Sequence, residues 1–427
     1  MEEAITRLVF QLAAILVVAK LAGEGFERFL KMPAVLGELA AGILIGPFAL
    51  GAVDVPGLGP LFEHLPEAIG GEEVAVPVSE GLWSLAQVGS IVLLFMAGLE
   101  TDLRQFLRYA RPASLVALGG VVVPFVLGAG LTVAFGFADS FTDVKALFVG
   151  AVMTATSIGI TVRVLGDLSR LNTPEGVTIL GAAVLDDVIG ILVLTIVVGL
   201  GDTGEIVPSE VGLVALKTFG FWLALTGIGI LLASRISAVL MSFKVSGAAV
   251  ALALAIAFFA SGLAESFGLA MIIGAFSIGL ALSGTDLAHA LDEPLQAIYS
   301  AVVPIFFVVM GMLVDVGALG GVVVFGLVLT VAAVVGKVAG SGLPAMGVGF
   351  NRLGAWRIGI GMLPRGEVAL IMAGIGISKG IIGQDLYGVA ILMTIITTAV
   401  APPVLALSFR SGSAGTRTQS AGNEDDG

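Results

Sequence analysis

Cysteine is absent from this 427-residue chain, which excludes disulfide bridges, thiolate metal sites and thiol nucleophiles. Histidine is nearly absent. Only His64 and His289 occur, both in stretches that read as polar connections, where a solvated loop role comes before a pH-sensing one. No nucleophile–base pair or metal-ligand constellation is visible, which argues against an enzyme of the soluble type. Charge is also scarce: 12% of residues are Asp, Glu, Lys or Arg, about half the share in an average soluble domain. The C-terminal tail from Ser411 onward is polar and rich in Gly and Ser. No nucleotide-binding or redox-sensing regulatory domain is therefore expected on this chain, no cofactor is called for, and nucleic acid is not an expected partner.

What the chain has instead is apolar sequence. It is 57% hydrophobic, with a mean hydropathy of +1.09, and apolar windows of about 20 residues recur from end to end, the length a helix needs to cross the hydrocarbon of a bilayer. A membrane barrel would show short alternating segments instead. The fold class expected is all-α and polytopic. Thirteen spans are read, at about 6–22, 33–50, 84–100, 112–136, 144–165, 175–201, 211–233, 247–263, 267–284, 296–314, 318–341, 356–377 and 386–408. The first lacks a small-residue cleavage site and runs into the charged EGFERFLK, so it reads as a span, not a removed signal. Sixty glycines suit close helix packing and local helix breaks. Residues 1–410 form the membrane domain, with its core at about 112–201 and 318–408 and the remaining helices as scaffold. Residues 411–427 read as a disordered cytoplasmic tail.

Basic residues alternate between the two sets of connections. Arg28 and Lys31, Arg104, Arg108 and Arg111, Arg163 and Arg170, Arg235 and Lys244, Arg352 and Arg357, and Arg410 and Arg417 fall on one side. The other holds Lys145, Lys379 and Arg7. The positive-inside rule then places the N-terminus outside and the C-terminus in the cytoplasm. The 285–295 connection, assigned to the inner side, carries no Lys or Arg. The net charge of −12 comes largely from acidic connections and the tail.

Ionisable groups at mid-membrane each cost about 2.5–3.5 kcal/mol on insertion scales and so call for a reason. Asp186 and Asp187 stand adjacent in the sixth span, with apolar runs on both sides. Neighbours on a helix point about 100° apart, so one can face a cavity while the other faces another helix. A misread helix end, or a purely structural acid pair, is the bland alternative. Lys337 is equally deep and should be neutral or paired with a carboxylate, either Asp186 or Asp187, unless it snorkels to an interface. In the fifth span MTATSIGITVRVL clusters Thr154, Thr156, Ser157, Gly159 and Thr161, where hydroxyls and an unwound backbone at a helix break could serve a hard cation, or the hydroxyls merely pack helices. In the twelfth, GMLPRGEVALIMAGIG places Pro364, Arg365, Gly366 and Glu367 between apolar flanks, which predicts a helix break. There Arg365 and Glu367 either pair across the break or reach other helices.

The two breaks fall in the middle spans of the groups 4–6 and 11–13. Groups seven spans apart must run in opposite senses. Inverted repeats with paired discontinuous helices, crossing at mid-membrane, are the architecture of a secondary transporter.

These segments resemble the monovalent cation:proton antiporter superfamily, and within it the electrogenic bacterial sodium/proton antiporters with adjacent aspartates. The likeness is carried in order by MPAVLGELAAGILIGP (32–47), LLFMAGLETDL (93–103), TATSIGITVRVL (154–165), LDDVIGILVL (185–194), GAFSIGLALS (274–283), IFFVVMGM (305–312), GKVAGSGLPA (336–345) and LPRGEVALI (363–371). The resemblance implies that Asp187 is the main cation and proton carboxylate, with Na⁺ held at Asp187 and Asp186. It implies an Asp186–Lys337 salt bridge that breaks during transport. Thr156 and Ser157 would line the site, and Arg365 with Glu367 would belong to the core network. A homodimer in the lipid bilayer is implied in the same way. Asp186 together with Lys337 points to the electrogenic branch.

A carboxylate that holds either protons or a cation, presented alternately to each side, is exchange without a separate coupling device. Rival readings are a K⁺/H⁺ antiporter of the same superfamily, a sodium-coupled symporter on the same fold, and a cation channel or sensor, though no filter-like loop is visible.

Overall fold

The structure is a computed structural model and describes residues 2–55, 59–62, 67–69, 72–203, 208–314 and 323–417. His64 lies outside the described residues. The chain is almost wholly helical. Its helices are α1 (Glu2–Gly25), α2 (Ala34–Ile45), α3 (Glu80–Glu100), α4 (Leu103–Ala134), α5 (Val144–Thr154), α6 (Ile158–Asp167), α7 (Pro174–Thr203), α8 (Pro208–Met241), α9 (Ala248–Ser266), α10 (Met271–Leu282), α11 (Asp286–Met312), α12 (Val323–Gly347), α13 (Arg352–Gly361), α14 (Glu367–Ser378) and α15 (Gln384–Phe409). Short antiparallel strand pairs, Asp54–Val55 with Gly59–Pro60 and Glu67–Ile69 with Glu72–Val76, occupy the α2–α3 connection.

Eleven of the described helical stretches are long and apolar enough to cross a membrane, and one of these, 144–167, comprises α5 and α6. The 12-residue α10 and the broken α13–α14 stretch bring the crossing units to thirteen (11 + 2) among the described residues. Large apolar side chains on the outer faces of α1, α4, α8 and α12, such as Val17, Leu118, Leu231 and Val331, are exposed, as suits helices solvated by lipid.

Both expected breaks are present. The fifth span stops at Thr154 and resumes at Ile158, and the twelfth stops at Gly361 and resumes at Glu367. The second has a local cause: Pro364 lacks the N–H that would continue the helix, and Gly366 adopts φ −146° and ψ −134°.

Some boundaries differ from expectation. α4 begins at Leu103, not near 112, because Asp102 caps it, accepting from the N–H groups of Arg104 and Gln105 at 2.8 and 3.0 Å. The basic run RQFLRYAR is therefore helix, not connection. DLAHALDEP, expected as a loop, forms the first turns of α11 and carries His289 with it. The first part of the expected tail, residues 411–417, is ordered. Residues 411–417 lie against the α12–α13 loop, where Asn351 N donates to Gly415 O (2.9 Å) and Arg417 N to Gly349 O (2.9 Å), and Phe350 bridges Thr416. Residues 418–427 lie outside the described residues.

Helix packing separates into two groups. α4–α7 and α12–α15 pack on each other, chiefly through α4 against α12, while α1–α3 and α8–α11 pack among themselves. The groups meet where α6 touches α2 and α3, and where α7 touches α8. The α4–α12 crossing requires glycine. A Cβ on Gly119 would lie 2.1 Å from Gly340 O, and one on Gly340 would lie 2.4 Å from Gly119 O.

Alternation of the spans puts the Arg-rich connections at one end of the molecule, hereafter the basic end. Asn172 ties two of them together: its Oδ1 accepts from Asp102 N at 2.8 Å and its Nδ2 donates to Glu100 O at 2.6 Å.

A candidate ion site at the crossing of two broken helices

The extended segments 155–157 and 362–366 cross at the middle of the helix group formed by the two repeats. Ser157 N donates to Pro364 O at 2.7 Å, the Thr156 hydroxyl to Met362 O at 3.3 Å and the Thr161 hydroxyl to Gly361 O at 2.7 Å. Each broken segment thus supplies the backbone partners that the other has lost, a requirement in a medium without water. There is no room for a side chain at the contact: a Cβ on Gly366 would sit 2.8 Å from Ser157 Oγ.

A break leaves carbonyls at the end of one half-helix, and that end carries partial negative charge. Two buried cations meet these carbonyls on α5. Arg365 donates through Nη2 to Met153 O at 2.5 Å, and its own carbonyl accepts from the Thr398 hydroxyl. Lys337, fully buried, donates to Thr154 O at 2.7 Å, Gly120 O at 2.9 Å and Asp186 Oδ1 at 2.9 Å. Three acceptors match the three donors of a protonated ammonium. The hydroxyl of Thr154 turns back to Ala151 O at 2.8 Å, so its carbonyl is what it offers the site.

The adjacent aspartates are split by the helix, as their spacing requires. Asp186 points to Lys337 on α12, with the Thr156 hydroxyl between its carboxyl and Met362 O. Asp187 lies one residue round the helix. It is 7% exposed and, with Asp186, lines a cavity of about 510 Å³ that opens at the end opposite the basic one. Trp83, Gln87 and Ser90 of α3 line the same cavity, as does Glu265 at the end of α9. Ser157 is fully buried at the crossing, beside Gly366. Asp186, Lys337, Thr156, Ser157 and Arg365 therefore gather around one crossing, with Asp187 at the cavity wall. The side chain of Glu367 lies outside the described residues; its backbone begins α14.

Other polar residues were not legible as buried partners. Arg357 and Glu175 form a buried ion pair at 2.7 Å near the basic end, and Arg357 also donates to Ser408 O at 3.1 Å and Ser413 O at 2.8 Å. In sequence Arg357 counts only as one more basic residue near a connection. Glu38, 2% exposed, lies 3.9 Å from Arg163. Its signal was available, since a lone acid within VLGELAAGIL at the membrane needs a partner.

Known proteins similar in sequence and in fold identify the family. The sequence matches the transmembrane sodium/hydrogen exchanger family over residues 13–410. It is 37% identical over 401 residues to the Na⁺/H⁺-K⁺ antiporter GerN of Bacillus cereus, covering 94% of this chain and 96% of that protein. It is 38% identical over 421 residues to the high-affinity Na⁺/H⁺ antiporter NhaS3 of Synechocystis, covering 94% and 90%. The fold is similar to that of the sodium proton antiporter MjNhaP1 of Methanocaldococcus jannaschii, with a TM-score of 0.70 at 18% identity, over 95% of this chain and 96% of that one. The chain belongs to the transmembrane sodium/hydrogen exchanger family and is a multi-pass membrane cation/proton antiporter, a secondary transporter and not an enzyme.

Proposed function

We propose that the chain carries out electrogenic Na⁺/H⁺ exchange in the plasma membrane, with the cation and protons competing for Asp187 and Asp186. The observation that carries this reading is the split of the aspartate pair: Asp187 meets the cavity while Asp186 is held by Lys337 at 2.9 Å. A carboxylate at a cavity wall is reachable by a small cation, and its oxygens can hold a proton or a sodium ion, not both. Thr156 and Ser157 stand beside the pair as hard oxygen donors for Na⁺ or Li⁺.

The Lys337 contact supplies the second charge. When a cation draws Asp186 away, the ammonium loses its carboxylate hydrogen bond and keeps two carbonyls. An ammonium buried without a counter-charge is costly and releases its proton. More than one proton then moves for each cation, and the cycle responds to voltage.

The packing division supports alternating access as the mode of transport. The two repeats carry the site, and the remaining helices form the scaffold against which they move. The basic end faces the cytoplasm by the positive-inside rule, so the cavity at Asp187 opens outward. Two copies associate through scaffold helices, which leaves both repeat cores free.

Potassium is the second cation to test, because the similar GerN is named a Na⁺/H⁺-K⁺ antiporter. The test is proteoliposome exchange with Na⁺, Li⁺ and K⁺ at several pH values and imposed potentials. Competition requires that the apparent KM for Na⁺ rise as pH falls while the maximal rate at saturating Na⁺ holds. A pH-independent KM, or exchange insensitive to voltage, refutes the corresponding part of the proposal.

A further inference from the structure

α3 borders both cavities, one near each of its ends. Trp83, Gln87 and Ser90 line the cavity that reaches the aspartates, while Met96 and Leu99 line a second cavity, of about 860 Å³, at the basic end. The second cavity also touches Glu100, Asn172, His289 and Asp292, and neither aspartate of the pair lines it. Between the two, Leu93 and Phe306 close on α6. A Cβ on Gly159 would lie 3.5 Å from Leu93 Cδ2 and 3.2 Å from Phe306 Cε1. This is an apolar barrier between core and scaffold.

One turn further along α6, toward the basic end, the barrier has a polar neighbour. Arg163 reaches across to the scaffold, where its guanidinium lies 5.2 Å over the Tyr299 ring of α11 and 3.9 Å from Glu38 of α2. A separation of 3.9 Å is a Coulomb contact and too long for a hydrogen bond. The other carboxylate oxygen of Glu38, Oε2, is buried with no hydrogen-bond partner among the described residues. Arg163 has its closer contact on its own helix, with Asp167 at 3.2 Å. If α6 moves with the core, Arg163 leaves with Asp167 still paired, and only Glu38 and Tyr299 stay behind.

We propose that Arg163, gripping Glu38 and Tyr299 of the scaffold, is a latch that holds the basic-end gate shut in the state in which the opposite cavity reaches Asp187. It is a positioning element for transport and touches no cation. The contact exists only with α6 docked on α2 and α11, so it stabilises one of two states, and weakening it shifts the balance toward the other. The inference rests on the alternating-access reading.

Native absence of cysteine makes the test direct. Single-cysteine reporters Gln87→Cys and Leu93→Cys are labelled in membranes with impermeant thiol reagents, with and without saturating Na⁺. Adding Glu38→Gln should speed labelling of Leu93→Cys from the basic end by about three- to tenfold and slow labelling of Gln87→Cys, as expected for loss of a partly buried ion pair. Glu38→Asp, which keeps the charge but shortens the reach, should give a smaller shift in the same direction, and serves if Glu38→Gln does not fold. A Na⁺ response in the reporter background with no shift from either Glu38 variant overturns the latch alone. If neither reporter responds to Na⁺ in that background, the alternating-access reading fails and the latch fails with it.

Discussion

Removing Lys337 gives a sharp test of the site, because the structure fixes what is left behind. Lys337 and Asp186 have side-chain exposures of 0% and 1%, and their charged atoms lie 2.9 Å apart. Taking away one partner of a buried pair leaves an uncompensated charge, at a cost of about 3–5 kcal/mol. That is a large fraction of the roughly 5–15 kcal/mol by which folded proteins are stable. Lys337→Gln also strips a donor from Thr154 O and Gly120 O, so it should be the worse of the two single changes; in Asp186→Asn the amide oxygen can still accept an N–H from the Lys337 amine. The double variant removes both charges together. It should therefore be more stable than the sum of the single losses allows, with a coupling of about 2–3 kcal/mol. The assay is denaturant unfolding in detergent for the four proteins of the cycle, with voltage-dependent exchange measured on the same preparations. The double variant should exchange cation for proton with weakened voltage dependence. Additive losses of stability, or wild-type voltage dependence in a folded Lys337→Gln protein, would refute the reasoning.

Asp187→Asn should abolish Na⁺-induced alkalinisation of acidified vesicles, because the carboxylate at the cavity wall is replaced by a neutral amide. Gly366→Ala forces a Cβ to 2.8 Å from Ser157 Oγ and should cost about 1–3 kcal/mol, read in thermal unfolding, with exchange reduced in parallel. Arg357→Ala removes the Glu175 pair and the contacts to Ser408 and Ser413, so residues 411–417 should loosen. Limited trypsin digestion should then cut at Arg410 or Arg417 sooner than in the wild-type chain, and unchanged cutting would show that the bonds from residues 349–351 alone hold the segment.

How much of this was legible beforehand depends on what kind of constraint each feature obeys. The spans obey a one-dimensional rule, since a bilayer demands a long apolar helix and an apolar window can be read directly from sequence. The break at 362–366 was equally local, because Pro364 and Gly366 act on their own backbone. The opposed repeats followed from counting spans. The ends of helices were less legible, since a cap such as Asp102 competes with the simple polarity of RQFLRYAR, and amphipathic turns like DLAHALDEP resemble loops when only hydropathy is weighed.

Sequence alone thus determined the all-α membrane fold, the two breaks and the expense of Asp186, Asp187 and Lys337, because insertion into hydrocarbon penalises each charge one residue at a time. Which aspartate meets Lys337 was a different kind of question. It depended on how α7 is rotated against α12, and on the Gly119–Gly340 approach that brings α4 and α12 close enough for Lys337 to meet Gly120 O. The partners of Arg163, Arg357 and Arg365 were decided the same way. A charge states in sequence that it needs compensation, but only packing chooses among an acid, an aromatic face and the open carbonyls of a broken helix.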